Sequence, residues 1–179
     1  MVPEFQPATK RRGMQRLVLV RHGEAEDVGP GVPDAARALT DHGRDVTGRV
    51  AAGLAAIVGP VDLLASSPLV RANETAEIIG GQVAAGARLQ TERLEPLADP
   101  AAVLDWVAGQ AAATVVLVGH EPLLGLVAGC ALAGDPRRAV VFGKSASCLI
   151  EFAERAESGR GRLVWHLTPW QMAHCVPRA

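Results

Sequence analysis

Short apolar runs alternate along this chain with longer stretches in which apolar residues recur every three to four positions. Residues 16–20 (RLVLV) are apolar without alternation, the pattern of a strand buried on both faces. Residues 61–65 (VDLLA) and 114–118 (TVVLV) read the same way. Residues 147–152 (SCLIEF) and 162–167 (RLVWHL) are β-rich, alternate more, and are joined by a charged, Gly-containing turn, which predicts a hairpin at a sheet edge. Between these runs lie helices. Thr40 can cap one that runs to about Val58, with Val46, Val50, Leu54 and Ile57 on one stripe and Gly59-Pro60 at its end. Ser67-Pro68 is a start signal in which the hydroxyl caps and proline takes the first helical position. Two further helices are expected over residues 100–110 and 122–132. Strands interleaved with helices indicate the α/β class.

Length and composition narrow this picture. At 179 residues the chain suits one domain, expected over residues 15–179 behind a flexible tail at 1–14, with no internal repeat or linker. A composition of 49% hydrophobic and 21% charged residues fits a soluble globular protein. A net charge of -1 gives no field that would steer the chain to nucleic acid or an anionic membrane, so neither is expected as a partner. Cys130, Cys148 and Cys175 are scattered and form no C-x-x-C pair; reduced thiols in the cytoplasm are expected. The first thirteen residues lack the apolar segment of a signal peptide, and Met14 is an alternative start. The longest nearly apolar stretch, residues 122–134, is too short to span a bilayer.

Candidate chemistry sits in three segments, each where a strand gives way to a turn: residues 19–24 (LVRHGE), 66–72 (SSPLVRA) and 117–122 (LVGHEP). Ligands of parallel sheets bind beyond the carboxyl ends of the strands, so neighbouring strands would bring Arg21, His22, Arg71 and His120 into one pocket. Arginine forks match phosphate oxygens and stay charged, and the helix expected at Pro68 would turn its free N–H groups toward an anion. Gly23 would let the backbone approach the ligand closely. His22, between two such cations, is expected to be neutral and able to attack phosphorus, with Arg21, Arg71 and His120 stabilising the equatorial oxygens. Glu24 and Glu95 are both candidate proton donors, and the sequence leaves the choice open.

These residues resemble the histidine phosphatase superfamily, also called phosphoglycerate-mutase-like. Its R-H-G signature stands as Arg21-His22-Gly23, its S-P-x-x-R-A-x-x-T-A helix motif as Ser67 to Ala76, its late G-H motif as Gly119-His120, and an L-T-x-x-G helix start as Leu39 to Gly43. The resemblance runs from about Arg16 to about Pro169, and within the superfamily the compact size and closing Leu167-Thr168-Pro169 are similar to SixA-type phosphohistidine phosphatases. It implies a metal-independent, cofactor-free phosphatase with His22 as phosphate acceptor and Arg21, Arg71 and His120 completing the phosphate pocket. The fold expected is a three-layer α/β/α sandwich with a mostly parallel central sheet and an antiparallel edge hairpin. The implied partner is a phosphorylated protein or a small phosphorylated substrate; phosphohistidine on proteins is favoured, because only a short stretch separates the Arg71 helix from the strand at Thr114 and leaves no room for a lid. The alternatives are a small-molecule phosphomonoesterase and a non-catalytic phosphate-binding module. Residues 25–28 (AEDV) depart from the mutase-like pattern and argue against mutase activity.

Other residues carry blander expectations. His42 belongs on an exposed helical turn, His166 on an edge strand and His174 in the tail; no H-E-x-x-H spacing makes them metal ligands. Trp106 and Trp165 read as packing residues, Trp170 is less defined, and Lys144 and Ser145 read as solvent-exposed loop. Arg137 and Arg138 read as surface charge. Neither a C-x5-R loop nor a G-x-x-x-x-G-K-[ST] loop is present, so those phosphate chemistries are excluded.

Overall fold

A computed structural model describes residues 13–29, 31, 33–137 and 139–176. Most of the expected tail, together with Arg138, lies outside the described residues. Six strands form one sheet: β1 (Gln15–Arg21), β2 (Val61–Ser66), β3 (Ala85–Gln90), β4 (Thr114–Gly119), β5 (Ser147–Phe152) and β6 (Arg162–Leu167), in the order β3-β2-β4-β1-β5-β6. The pairs β1–β4, β2–β4 and β2–β3 are parallel; β1–β5 and β5–β6 are antiparallel, so the expected hairpin closes one side. β5 is buried along its whole length because it lies between β1 and β6, and the outer β6 carries the exposure.

The sheet is the middle of three layers. Leu17 and Leu19 of β1 face α3 (Pro100–Ala108) and α4 (Leu123–Ala133). Val18 and Val20 face α1 (Asp41–Val58), α2 (Val70–Gln82) and the short α5 (Pro169–Ala173). Burial on both faces explains why β1 shows no polar alternation. Removing these two apolar faces from water supplies the main drive for folding.

Local details depart from the pattern. Thr40 does cap α1, accepting from the Gly43 amide at 2.9 Å. The buried stripe, however, runs through Thr47, Val50, Ala51, Leu54 and Val58, with Val46 and Ile57 half-buried at its flanks. α2 starts at Val70 rather than Pro68: the Ser67 hydroxyl accepts from the Leu69 amide at 3.3 Å, and Pro68 lies in the bend before the helix. α4 likewise begins one residue after Pro122. β3 escapes pattern reading because five of its six residues are exposed.

The register places the three chemical segments together. Arg21 pairs with Gly119, Val20 with Val118, and Ser66 with Val118, so β1, β4 and β2 end side by side. The first turn of α1 closes over that end. Gly43 touches the Glu24 carbonyl so closely that a Cβ would overlap it. Gly43→Ala should therefore cost about 1–3 kcal/mol, read as a lower urea midpoint at unchanged slope; an unchanged midpoint would show that the contact yields freely.

Candidate active site

The turn after β1 is held from several sides. The His22 amide donates to the Gly119 carbonyl at 3.0 Å, and the His22 carbonyl accepts from the Ser145 amide at 3.1 Å. The Gly23 amide donates to Thr75 Oγ1 at 3.0 Å, and that hydroxyl donates to the Arg71 carbonyl at 2.7 Å. Thr75 thus couples the R-H-G turn to α2. A Cβ on Gly23 would stand 2.5 Å from Thr47 Oγ1. Glycine is needed there to pass beneath α1. Arg21 Nη1 donates to the Phe142 carbonyl at 2.7 Å, while the Phe142 amide donates to Glu121 Oε1 at 3.1 Å. The segment at 142–145 therefore supports both members of the Arg-His pair. Within it Ser145 is buried, has a φ of 57° in the left-handed region, and shares a 3.1 Å hydroxyl bond with Thr47.

His22 and His120 lie face to tilted face, with ring centroids 5.0 Å apart. Nδ1 of His22 is 2.7 Å from the Gly23 carbonyl. A carbonyl only accepts, so Nδ1 carries the proton and Nε2 presents its lone pair. The His22 pKa falls to about 4, chiefly by burial, with Arg71, Arg21 and Lys144 adding to the shift and the Gly23 bond opposing it. Burial, more than the neighbouring cations invoked from the sequence, keeps this ring neutral. His120 falls to about 3 for the same leading reason, with His22 and Arg71 next. Neither of its ring nitrogens has a hydrogen-bond partner among the described residues.

Arg71 is buried in the first turn of α2, which no side chain caps. Its Nη1 donates to the Asp34 carbonyl at 2.7 Å and its Nη2 to Asp34 Oδ2 at 3.0 Å. Asp34 also accepts from Arg37 at 2.6 and 2.8 Å, and this bond, followed by Arg71, holds its carboxyl below the usual range. Of the two glutamates singled out from the sequence, Glu24 accepts from the Thr40 hydroxyl at 3.3 Å, and the Glu95 side chain makes no hydrogen bond or ion pair among the described residues. Arg21, His22, Arg71 and His120 thus gather at one end of the sheet, without Glu95 tied to them. Asp34 is an addition that no sequence signal marked, since it meets Arg71 across a long stretch of chain. Thr75 is the threonine of the helix motif, and Ser145, read from the sequence as exposed loop, is buried because it packs against Thr47 and the His22 turn.

Comparison with known proteins gives this arrangement a family. A model described as the histidine phosphatase superfamily (branch 1) matches residues 17–99. An uncharacterized protein of Picosynechococcus sp. is 35% identical over 112 residues, spanning 61% of this chain and 68% of its own length. The chain belongs to the histidine phosphatase superfamily. It is accordingly a hydrolase of the phosphatase type. Among solved structures, the protein histidine phosphatase SixA complexed with tungstate has a TM-score of 0.77 at 24% identity, covering 87% of this chain and 98% of that one. A phosphoserine phosphatase mutant from Entamoeba histolytica, complexed with phosphoserine, has a TM-score of 0.66 at 18% identity, covering 88% and 98%. These likenesses establish the histidine phosphatase fold. No helix among the described residues is long and apolar enough to cross a membrane, and no cluster of His, Cys, Asp or Glu among them is arranged to hold a metal ion.

Two buried neutral imidazoles make this histidine phosphatase sensitive to acid. Both folded pKa values lie below the unfolded value of 6.5. As pH falls from 6.5 toward about 4, the unfolded chain takes up protons that the folded site refuses, so stability is lost through that window. The loss approaches about 1.4 kcal/mol per pH unit for each histidine. Urea unfolding near pH 7 and near pH 5 should show it, and His120→Gln should shrink the difference; equal pH dependence in both proteins would contradict buried neutral His120.

Proposed function

We propose that this enzyme dephosphorylates phosphohistidine on proteins, passing the phosphoryl group through His22. The observation that carries the reading is the oriented, neutral His22 ring, with Nδ1–H tied to Gly23 and a second buried imidazole 5.0 Å away. In the first step His22 Nε2 attacks phosphorus in line; the bond from phosphorus to the substrate nitrogen breaks, and its electron pair leaves with that imidazole. In the second step a water oxygen attacks the phosphoryl group, the bond to Nε2 breaks, and the pair returns to His22. The water's protons pass to the phosphate and to solvent. Arg21 and Arg71 bind the equatorial oxygens. His120 enters neutral, and the charge of a bound phosphate raises its pKa and recruits it as a donor.

The proton inventory supports this substrate class. Asp34, the carboxylate in contact with Arg71, is held ionised by two guanidinium groups and cannot serve as an acid. A sugar alkoxide needs a proton to leave, whereas transfer between two imidazoles exchanges like for like. The SixA likeness agrees with this reading. The likeness to a phosphoserine phosphatase supports a second reading, a small-molecule phosphomonoesterase with Glu24 or Glu95 as proton donor. Three free thiols suit the reducing cytoplasm.

Leaving groups separate the two readings. Without added metal and in the presence of chelator, wild type should turn over phosphohistidine and an aryl phosphate on the order of 10²–10⁴-fold faster than an alkyl phosphate. Comparable rates across the series would reveal a working acid and favour the phosphomonoesterase. His22→Ala should abolish turnover, and Arg71→Ala should lower kcat about 10²–10³-fold; turnover by His22→Ala would remove the nucleophile from the scheme. Asp34 competes with phosphate for Arg71, so Asp34→Asn should strengthen inhibition by inorganic phosphate, about threefold or more for each 0.7 kcal/mol of repulsion removed. Weaker inhibition would mean that Asp34 acts only to position the arginine.

A further inference from the structure

Beside the catalytic turn, a groove of about 780 Å³ opens between α1 and α5. Glu24, Lys144 and Ser145 line it. Because the Ser145 amide binds the His22 carbonyl and the Lys144 charge acts on the His22 ring, the groove begins where the nucleophile is held. Trp170, on a helix of five residues, lines it as well.

That helix is fastened tightly for its length. Thr168 and Gln171 form a reciprocal cap at its start. Met172 is fully buried, and its carbonyl lies so close to Gly53 of α1 that a Cβ there would collide with it. The indole of Trp170 nevertheless stays 70% exposed, stacked on His174 at a centroid distance of 4.4 Å. A pinned platform thus holds a large apolar ring in water, and tryptophan is among the residue types enriched at interface hot spots. The nearby cations differ in state. Arg49 is paired with Asp45 at 2.8 Å, whereas Lys144 is exposed and has no ion pair among the described residues.

We infer that this groove docks the protein segment that carries the phosphohistidine, with an apolar side chain of the partner on Trp170 and an acidic one at Lys144. The inference deepens the phosphohistidine reading and rests on it. Small phosphoesters are held in enclosed pockets that bury most of the ligand surface. Here the cleft is open, and its lining joins the exposed indole of Trp170 to the charged side chains of Glu24, Arg49 and Lys144, an aromatic anchor with a polar rim of the kind found at protein interfaces.

The test compares wild type, Trp170→Ala, Trp170→Phe and Lys144→Glu on three substrates: a histidine phosphotransfer domain phosphorylated with phosphoramidate, free phosphohistidine, and a sugar phosphate. Trp170→Ala should lower kcat/KM for the phosphoprotein about tenfold or more, mainly through KM, and Trp170→Phe should recover most of it. Free phosphohistidine should be turned over by Trp170→Ala within about twofold of wild type. Lys144→Glu should lower the ratio of phosphoprotein to free phosphohistidine turnover in the same direction. Equal losses on both phosphohistidine substrates, or no loss on a phosphoprotein that wild type dephosphorylates, would overturn the docking role alone. A loss confined to the sugar phosphate would reassign the groove to a small molecule. Wild type that cleaves free phosphohistidine but no phosphoprotein would overturn the protein substrate itself, and docking with it.

Discussion

The hydrogen bond from His22 Nδ1 to the Gly23 carbonyl, 2.7 Å long, sets which nitrogen of the ring carries the free lone pair. With Nδ1 protonated, Nε2 is the lone-pair donor, and backbone bonds to Gly119 and Ser145 fix the direction in which it points. Burial then keeps the ring neutral, with a pKa near 4. An imidazole free to rotate in water would offer either nitrogen and would be protonated more readily. The rest of the fold serves this one orientation: three parallel strands end together, α1 closes over the turn, and Thr75 ties the turn to the helix that carries Arg71.

The same burial creates a conflict that the site resolves by pairing. A buried guanidinium without a counter-charge is costly. Asp34 supplies that charge to Arg71 through its carboxylate and its carbonyl. In the mechanism proposed above, a phosphate competes with Asp34 for the arginine, so affinity for the anion is exchanged for the stability that the ion pair supplies. His120 has no such partner among the described residues and is kept neutral instead, with a pKa near 3. In the proposed mechanism, phosphate would change both conditions at once, by offering Arg71 a second partner and His120 a negative charge.

Much of this was legible in the chain. Runs such as RLVLV identify strands covered on both faces, and the layers on either side of β1 account for them. Arg21, His22, Arg71 and His120 could be grouped because each lies at or after a strand end, and parallel neighbours bring such ends together. Less legible was whatever depended on exposure or on distant contacts. β3 lies at the sheet edge and lacks an apolar pattern, while α5 is too short for one. Pro68 announces α2 but bends the chain before it, so the helix starts two residues later. Asp34 meets Arg71 across 37 positions of chain, a distance no local motif spans. The leading cause of the His22 shift is burial, which neighbouring residue types alone do not disclose.

The central claim is a claim about one atom, so it is best tested on that atom. Rapid mixing with a substrate carrying labelled phosphate, an alkaline quench, peptide mapping and phosphorus NMR would locate any covalent intermediate and its regiochemistry. The account predicts phosphorus on His22, bonded to Nε2. Phosphorus on Nδ1, on His120 or on any other residue would contradict it.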